Sequence, residues 1–180
     1  NYSSSRFNGS ESDFFRLSSG SLGGKARGLG FAKSMINYSN IKNKFSNFKI
    51  CVPKSAVIGT NEFDRFMKDN ELWDIALSNI SDIKLLDYFL KSRISIDLTL
   101  KLESFINENN FPIAVRSSSL LEDSQYQPLA GTYETIMLSN NSKSNRDRLN
   151  NLIEAIKIIY ASTFNNEARA KMLKGVDTLA

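Results

Sequence analysis

Pro112-Ile113-Ala114-Val115-Arg116-Ser117-Ser118-Ser119 is the stretch on which the fold turns. It opens on a proline, which has no N–H to offer a ladder and suits the first residue of a buried strand. Three apolar residues follow, and the run ends abruptly in an arginine and three serines. Upstream, residues 71–109 read as a run of helices. Leu72, Ile75, Ala76 and Ile80 mark one face, Ile83, Leu86, Leu90 and Ile94 a second, and Leu98, Leu102, Phe105 and Ile106 a third. Downstream, residues 118–131 hold both Gly and Pro and read as a loop, and Tyr133 to Leu138 is a second strand candidate. Asp147 to Phe164 then carries Leu149, Leu152, Ile153, Ile156, Ile159, Tyr160 and Phe164, an apolar stripe at i, i+3, i+4 and i+7. A last amphipathic segment is expected over Glu167–Leu173.

Toward the N-terminus, Ala26, Leu29, Ala32, Met35 and Ile36 predict a helix from Lys25 to about Asn37. Gly28 and Gly30 lie inside it, each costing about 1 kcal/mol relative to Ala, which close approach of another backbone or a ligand would explain. Lys49 to Val52 is β-rich and precedes Pro53, and Ala56-Val57-Ile58 is a second short β-like stretch. Thr60 or Asn61 can cap a helix over Glu62–Lys68. Strands and helices are segregated rather than alternating, so the class is α+β, with a small mixed or antiparallel sheet flanked by several helices. Residues 1–19 are expected to be a polar arm with an aromatic island at Phe14-Phe15, and residues 20–180 the folded unit.

Composition removes whole classes of chemistry. The chain has 180 residues, no histidine and one cysteine. That length builds one core. Without histidine there is no Ser-His-Asp or Cys-His catalysis, no His-ligated zinc and no phosphohistidine within the chain. A single cysteine forms no internal disulfide framework, and Cys51, in an apolar run, reads as a buried small hydrophobe in a strand. The net charge of +4 is compatible with an anionic ligand, but the charges are interspersed and no aromatic-basic interleaving suggests nucleic acid. No segment has the length and apolarity of a membrane span, and the N-terminus has no signal-peptide core. A cytoplasmic location is expected, with neither membrane nor nucleic acid as partner. The chain does not begin with Met, as a piece of a longer protein would not.

Three polar spots interrupt the pattern. Gly20-Ser21-Leu22-Gly23-Gly24-Lys25 opens a helix, and a glycine-rich turn there presents backbone N–H groups and the positive end of the helix dipole to an anion. The spacing is not that of a Walker A loop, since three residues separate Gly20 from Gly24 and Ala26 stands where Ser or Thr would hold magnesium. Taken alone, such a loop is more often a capping device. Arg116, at a strand end, suits phosphate oxygens through its planar, permanently charged guanidinium; a structural clasp to Glu122 or Asp123 is the alternative. Glu122-Asp123 reads as a solvated pair. Gly131, entering a strand, permits close approach of a ligand.

Taken together, Leu22-Gly23-Gly24-Lys25-Ala26, Val52-Pro53 with Thr60 and Phe63, Ala114-Val115-Arg116-Ser117-Ser118 with Glu122-Asp123, Ala130-Gly131 with Glu134-Thr135, and Ala161-Ser162 with Phe164-Asn165 and Ala168-Arg169 form an ordered set. It resembles the N-terminal nucleotide-binding domain of phosphoenolpyruvate synthase and pyruvate phosphate dikinase, over residues 20–172. The resemblance implies the first subdomain of an ATP-grasp fold, with ATP as ligand. It implies that Lys25 and Arg116 bind and polarise the ATP phosphates as the catalytic pair. Gly24, Ser117, Gly131, Thr132, Glu134 and Thr135 would complete the nucleotide contacts, with 131–135 as a loop closing over the phosphates. The chain departs from the usual pattern at Pro53-Lys54-Ser55-Ala56 and at Thr132-Tyr133.

The same resemblance implies partners in a longer polypeptide: a second ATP-grasp subdomain carrying the magnesium ligands, a phosphohistidine domain, and a barrel for pyruvate. No metal site is expected within this chain, which alone would be inactive. The implied reaction passes phosphoryl from ATP through a histidine to pyruvate, giving phosphoenolpyruvate. The alternatives are an antibiotic or glucan as acceptor, or a non-catalytic nucleotide-binding module.

Overall fold

The computed structural model describes residues 14–39, 41–45, 47–118 and 134–169. In chain order the elements are β1 (Phe14–Arg16), α1 (Gly24–Tyr38), α2 (Ile41–Lys44), β2 (Ser55–Val57), α3 (Thr60–Asp69), α4 (Trp73–Leu77), α5 (Asp82–Lys91), α6 (Ile96–Glu108), β3 (Ile113–Arg116), β4 (Thr135–Leu138) and α7 (Asn145–Ser162). The class is α+β as expected. The strands form a parallel pair, β1 with β2, and an antiparallel pair, β3 with β4. A parallel pair needs a long crossover, and here it contains α1 and α2.

α7 organises the interior. Its stripe feeds two apolar clusters. Ala161 and Phe164, at and just beyond its C-terminal end, join Phe66, Met67, Leu72, Ala76, Leu85 and Phe89. Leu152 and Ile156, nearer its start, join Leu17, Leu98, Leu102, Phe105 and Ile106, with Ile113, Val115 and Leu138 from the antiparallel pair packed alongside. β3 therefore presents Ile113 and Val115 inward and leaves Ala114 and Arg116 outward, the period-two alternation of a sheet with one covered face.

Polar side chains close the helix ends, where backbone groups lack intrahelical partners. Ser144 caps α7 by accepting from Asp147 N at 3.2 Å. Ser95 caps α6 from Leu98 N at 3.2 Å and donates to the buried Glu62 carboxylate. Burial, and secondarily the Glu62 charge, push the Tyr160 hydroxyl well above the usual phenol range. Arg148 serves the C-terminal end of α6, donating to the carbonyls of Ile106 and Asn109 and, at 2.9 Å, to Asn140 Oδ1. Arg169 donates to Ser78 O and to Ile80 O at 3.0 Å and lies 3.5 Å from Asp82. That ties the chain after α7 to the α4–α5 connection.

Several sequence expectations change. Phe14 and Phe15, assigned to a polar arm, begin a strand whose register is Phe14 with Ser55, Phe15 with Ala56 and Arg16 with Val57; Leu17 behind them is buried. Lys49 to Val52 form no strand, and Cys51 is exposed rather than buried; the pairing partner of β1 starts beyond Pro53. On α5 the inward face is Leu85 and Phe89, while Ile83 is 83% exposed. The expected α1 face also fails: Ala26 is its buried residue, and Leu29 and Met35 are exposed. Among the described residues nothing lies within 4 Å of where a Gly28 Cβ would stand, and only the Phe14 ring, at 3.8 Å, approaches Gly30, so no described backbone packs against either.

Phe89 is fully buried, so Phe89→Ala should cost roughly 3–5 kcal/mol by urea denaturation. Ile83→Ala should stay within about 0.5 kcal/mol of the parent. Equal losses at the two positions would contradict the assigned face of α5.

Candidate functional site

The glycine-rich turn is tied down at both ends. Gly20 has φ +102°, a region L side chains rarely adopt, and a Cβ there would stand 2.5 Å from Asn61 N. Around it the segment after β1 is laced to the β2–α3 corner. Gly59 N donates to Ser18 Oγ at 2.7 Å, Ser21 N to Thr60 Oγ1 at 2.9 Å, and Thr60 N to Ser21 O at 3.1 Å. Arg16 braces the turn from below, donating to Ser18 O at 2.9 Å and to Gly20 O. Thr60 therefore does not cap α3, as its sequence position suggested. The N-cap of that helix is Gly59, without a side-chain bond, and the Thr60 hydroxyl is turned to the glycine loop.

At the other end, Gly23 is the N-cap of α1 and supplies no side-chain cap. Ala26 N instead donates to Ser118 Oγ at 3.0 Å, a bond between residues 92 apart in sequence. A Cβ built on Gly23 would fall 1.0 Å from the Ser118 carbonyl oxygen. The two backbones thus meet where a side chain would stand, and glycine is what the contact requires.

This contact assembles the predicted residues. Gly24 and Lys25 form the first turn of α1, Arg116 ends β3 and Ser117 follows it, and Ser118 seats α1 on that strand end. Thr135 pairs with Arg116 in the antiparallel register, with Glu134 just before it. Six of the eight residues singled out in the sequence therefore lie on or beside one end of the β3–β4 pair. Gly131 and Thr132 lie outside the described residues, as do Glu122 and Asp123. Arg116 is exposed. The site missed in the sequence is Ser118, together with Gly23 beneath it. The serine run was legible, but local pattern does not say which serine reaches a helix end so far back in the chain.

Chemically, the arrangement brings together backbone N–H groups at a helix N-terminus, the positive end of its dipole, a lysine and an arginine. Such a set favours a polyanion. Among the described residues no group of three His, Cys, Asp or Glu side chains is placed to hold a metal ion, and no helix is long and apolar enough to cross a membrane.

Residues 19–174 match the family model for the pyruvate phosphate dikinase AMP/ATP-binding domain. The chain belongs to that family. No curated protein and no solved structure matches it. Membership makes the chain the nucleotide-binding part of a dikinase-family protein. The segment from Ala161 to Arg169, part of the resemblance, has a structural task among the described residues: Ala161 and Phe164 fill a core cluster and Arg169 fastens the α4–α5 connection.

Gly23, at the N-cap of α1, and Gly28, within the helix, make opposite predictions. Gly28→Ala, into open space, should raise stability by roughly 0.5–1 kcal/mol in chemical denaturation. Gly23→Ala should lower it and weaken ATP binding, because the contact with Ser118 must open. A neutral Gly23→Ala would contradict the close approach.

Proposed function

We propose that the chain is the ATP-binding part of a dikinase-type phosphotransferase, which passes phosphoryl from ATP through a histidine in a separate domain to pyruvate and yields phosphoenolpyruvate. The supporting observation is the seating of the α1 N-terminus, with Lys25, on the β3 end that carries Arg116, across 92 residues of sequence, in a chain of the dikinase nucleotide-binding family. Residues 20–180, with β1 added, would form the first of two ATP-grasp subdomains.

In this reading the positive end of the α1 dipole and the N–H of Gly24 bind a phosphate, while the N–H of Ala26 is held by Ser118. Lys25 neutralises charge as a compact ammonium, and Arg116 offers a planar pair of N–H donors to neighbouring phosphate oxygens. Thr135 at the start of β4 and Glu134 just before it would border the nucleotide, with Ser117, Gly131 and Thr132. ATP, when bound, supplies the phosphoryl group. Phosphoryl transfer is largely positioning and stabilisation of charge on the transferred group, which fixed cationic side chains and backbone dipoles provide. Magnesium would be held by carboxylates of the remaining polypeptide, and the acceptor histidine must be there too, because this chain has none.

In the full-length protein, Lys25→Ala and Arg116→Ala should each abolish incorporation of label from ATP into acid-labile phosphohistidine, with the circular dichroism spectrum unchanged. Near-normal labelling in both variants would refute the assigned roles.

A further inference from the structure

We infer that Ser118 is a positioning residue of the nucleotide site: its hydroxyl caps α1 from outside the helix and fixes the direction in which the first turn, with Lys25, faces Arg116. This rests on the nucleotide-binding reading above. An N-cap side chain ordinarily accepts from the N–H two or three positions into its own helix. In α1 the cap position is Gly23, which has no side chain, and the N–H three positions in, that of Ala26, donates to Ser118 Oγ at 3.0 Å. The missing cap is supplied by a residue two places beyond Arg116. The backbone repeats the constraint, since the Ser118 carbonyl occupies the space of a Gly23 Cβ. One residue therefore holds the helix end by its hydroxyl and by its carbonyl, and it does so from just beyond the strand that ends in the arginine. Ala26, the donor, is also the buried residue of α1, so the attachment lies at the helix start, where the phosphates would bind. The later turns of α1 expose Phe31, Met35 and Tyr38.

The test is calorimetric titration of the full-length protein with ATP, comparing the parent with Ser118→Ala. A substitution that merely unfolds molecules lowers the stoichiometry and leaves the Kd of the folded fraction unchanged. One that misdirects the helix end raises the Kd at full stoichiometry. Loss of a cap corresponds to a roughly fivefold weaker Kd. Ser118→Thr and Ser118→Val, alike in shape and different in the hydroxyl, repeat the comparison, with Ser118→Thr near the parent and Ser118→Val as weak as Ser118→Ala. Parent-like Kd values in both Ser118→Ala and Ser118→Val would overturn the inference while leaving the nucleotide reading intact. A parent protein that takes up no ATP would overturn the nucleotide reading, and the positioning role with it.

Discussion

The apolar stripe of α7 is the constraint on which the other elements depend. A helix repeats its face every 3.6 residues, so one stripe of sufficient length can serve two cores along a single axis. Leu152 and Ile156 fill the cluster that receives α6 and the antiparallel strands, while Ala161 and Phe164 fill the one that receives α3, α4 and α5. Tyr160 stands at the border of both. Because β3 packs its inward residues onto this helix, the position of Arg116 at its end follows from the same stripe. The site is set by the core before any functional side chain is considered.

Arginine is used in two ways in this fold. Arg148 and Arg169 spend their guanidinium donors on main-chain carbonyls at helix ends and turns, where several acceptors otherwise lack partners. A planar fork that loses little freedom per bond suits that task. Arg116 lies on the outward face of an alternating strand, exposed. The first two are half-buried and bonded to the main chain, whereas the third is exposed at a strand end.

Much of this was readable from residues. The stripe of α7 and the Leu98, Leu102, Phe105 and Ile106 face of α6 follow from periodicity, because each has enough apolar positions to set a phase, and the strand ending at Arg116 follows from the apolar run after Pro112. Short elements do not. β1 has three residues, too few for a pattern, and is defined by its partner Ser55–Val57. In α5 the run Ile83-Lys84-Leu85-Leu86 offers two competing faces, and packing against Phe66 and Phe164 selected the one with Leu85 and Phe89. Thr60 has the composition of a cap, yet tertiary contact with Ser21 claimed its hydroxyl. Lys25 and Arg116 were legible as chemistry and by family resemblance. The cap supplied by Ser118 was not, because it belongs to a helix it does not adjoin in sequence.

The bond from Ala26 to Ser118 closes a loop of 92 residues. The entropy of such a closure grows slowly with length, about 0.6 kcal/mol per doubling, but the closure must still wait for its two ends to meet. The helices from α4 to α6 are neighbours in sequence, and the β3–β4 pair and α7 follow within a short span, whereas α1 reaches this assembly through contacts distant along the chain. Folding should therefore complete the two apolar clusters first and dock the glycine turn last. Native-state amide exchange should show the reverse order, with the α1 N-terminus opening at lower free energy than the core it rests on. In kinetic terms the N-terminal end of α1 should be a late arrival on a finished scaffold.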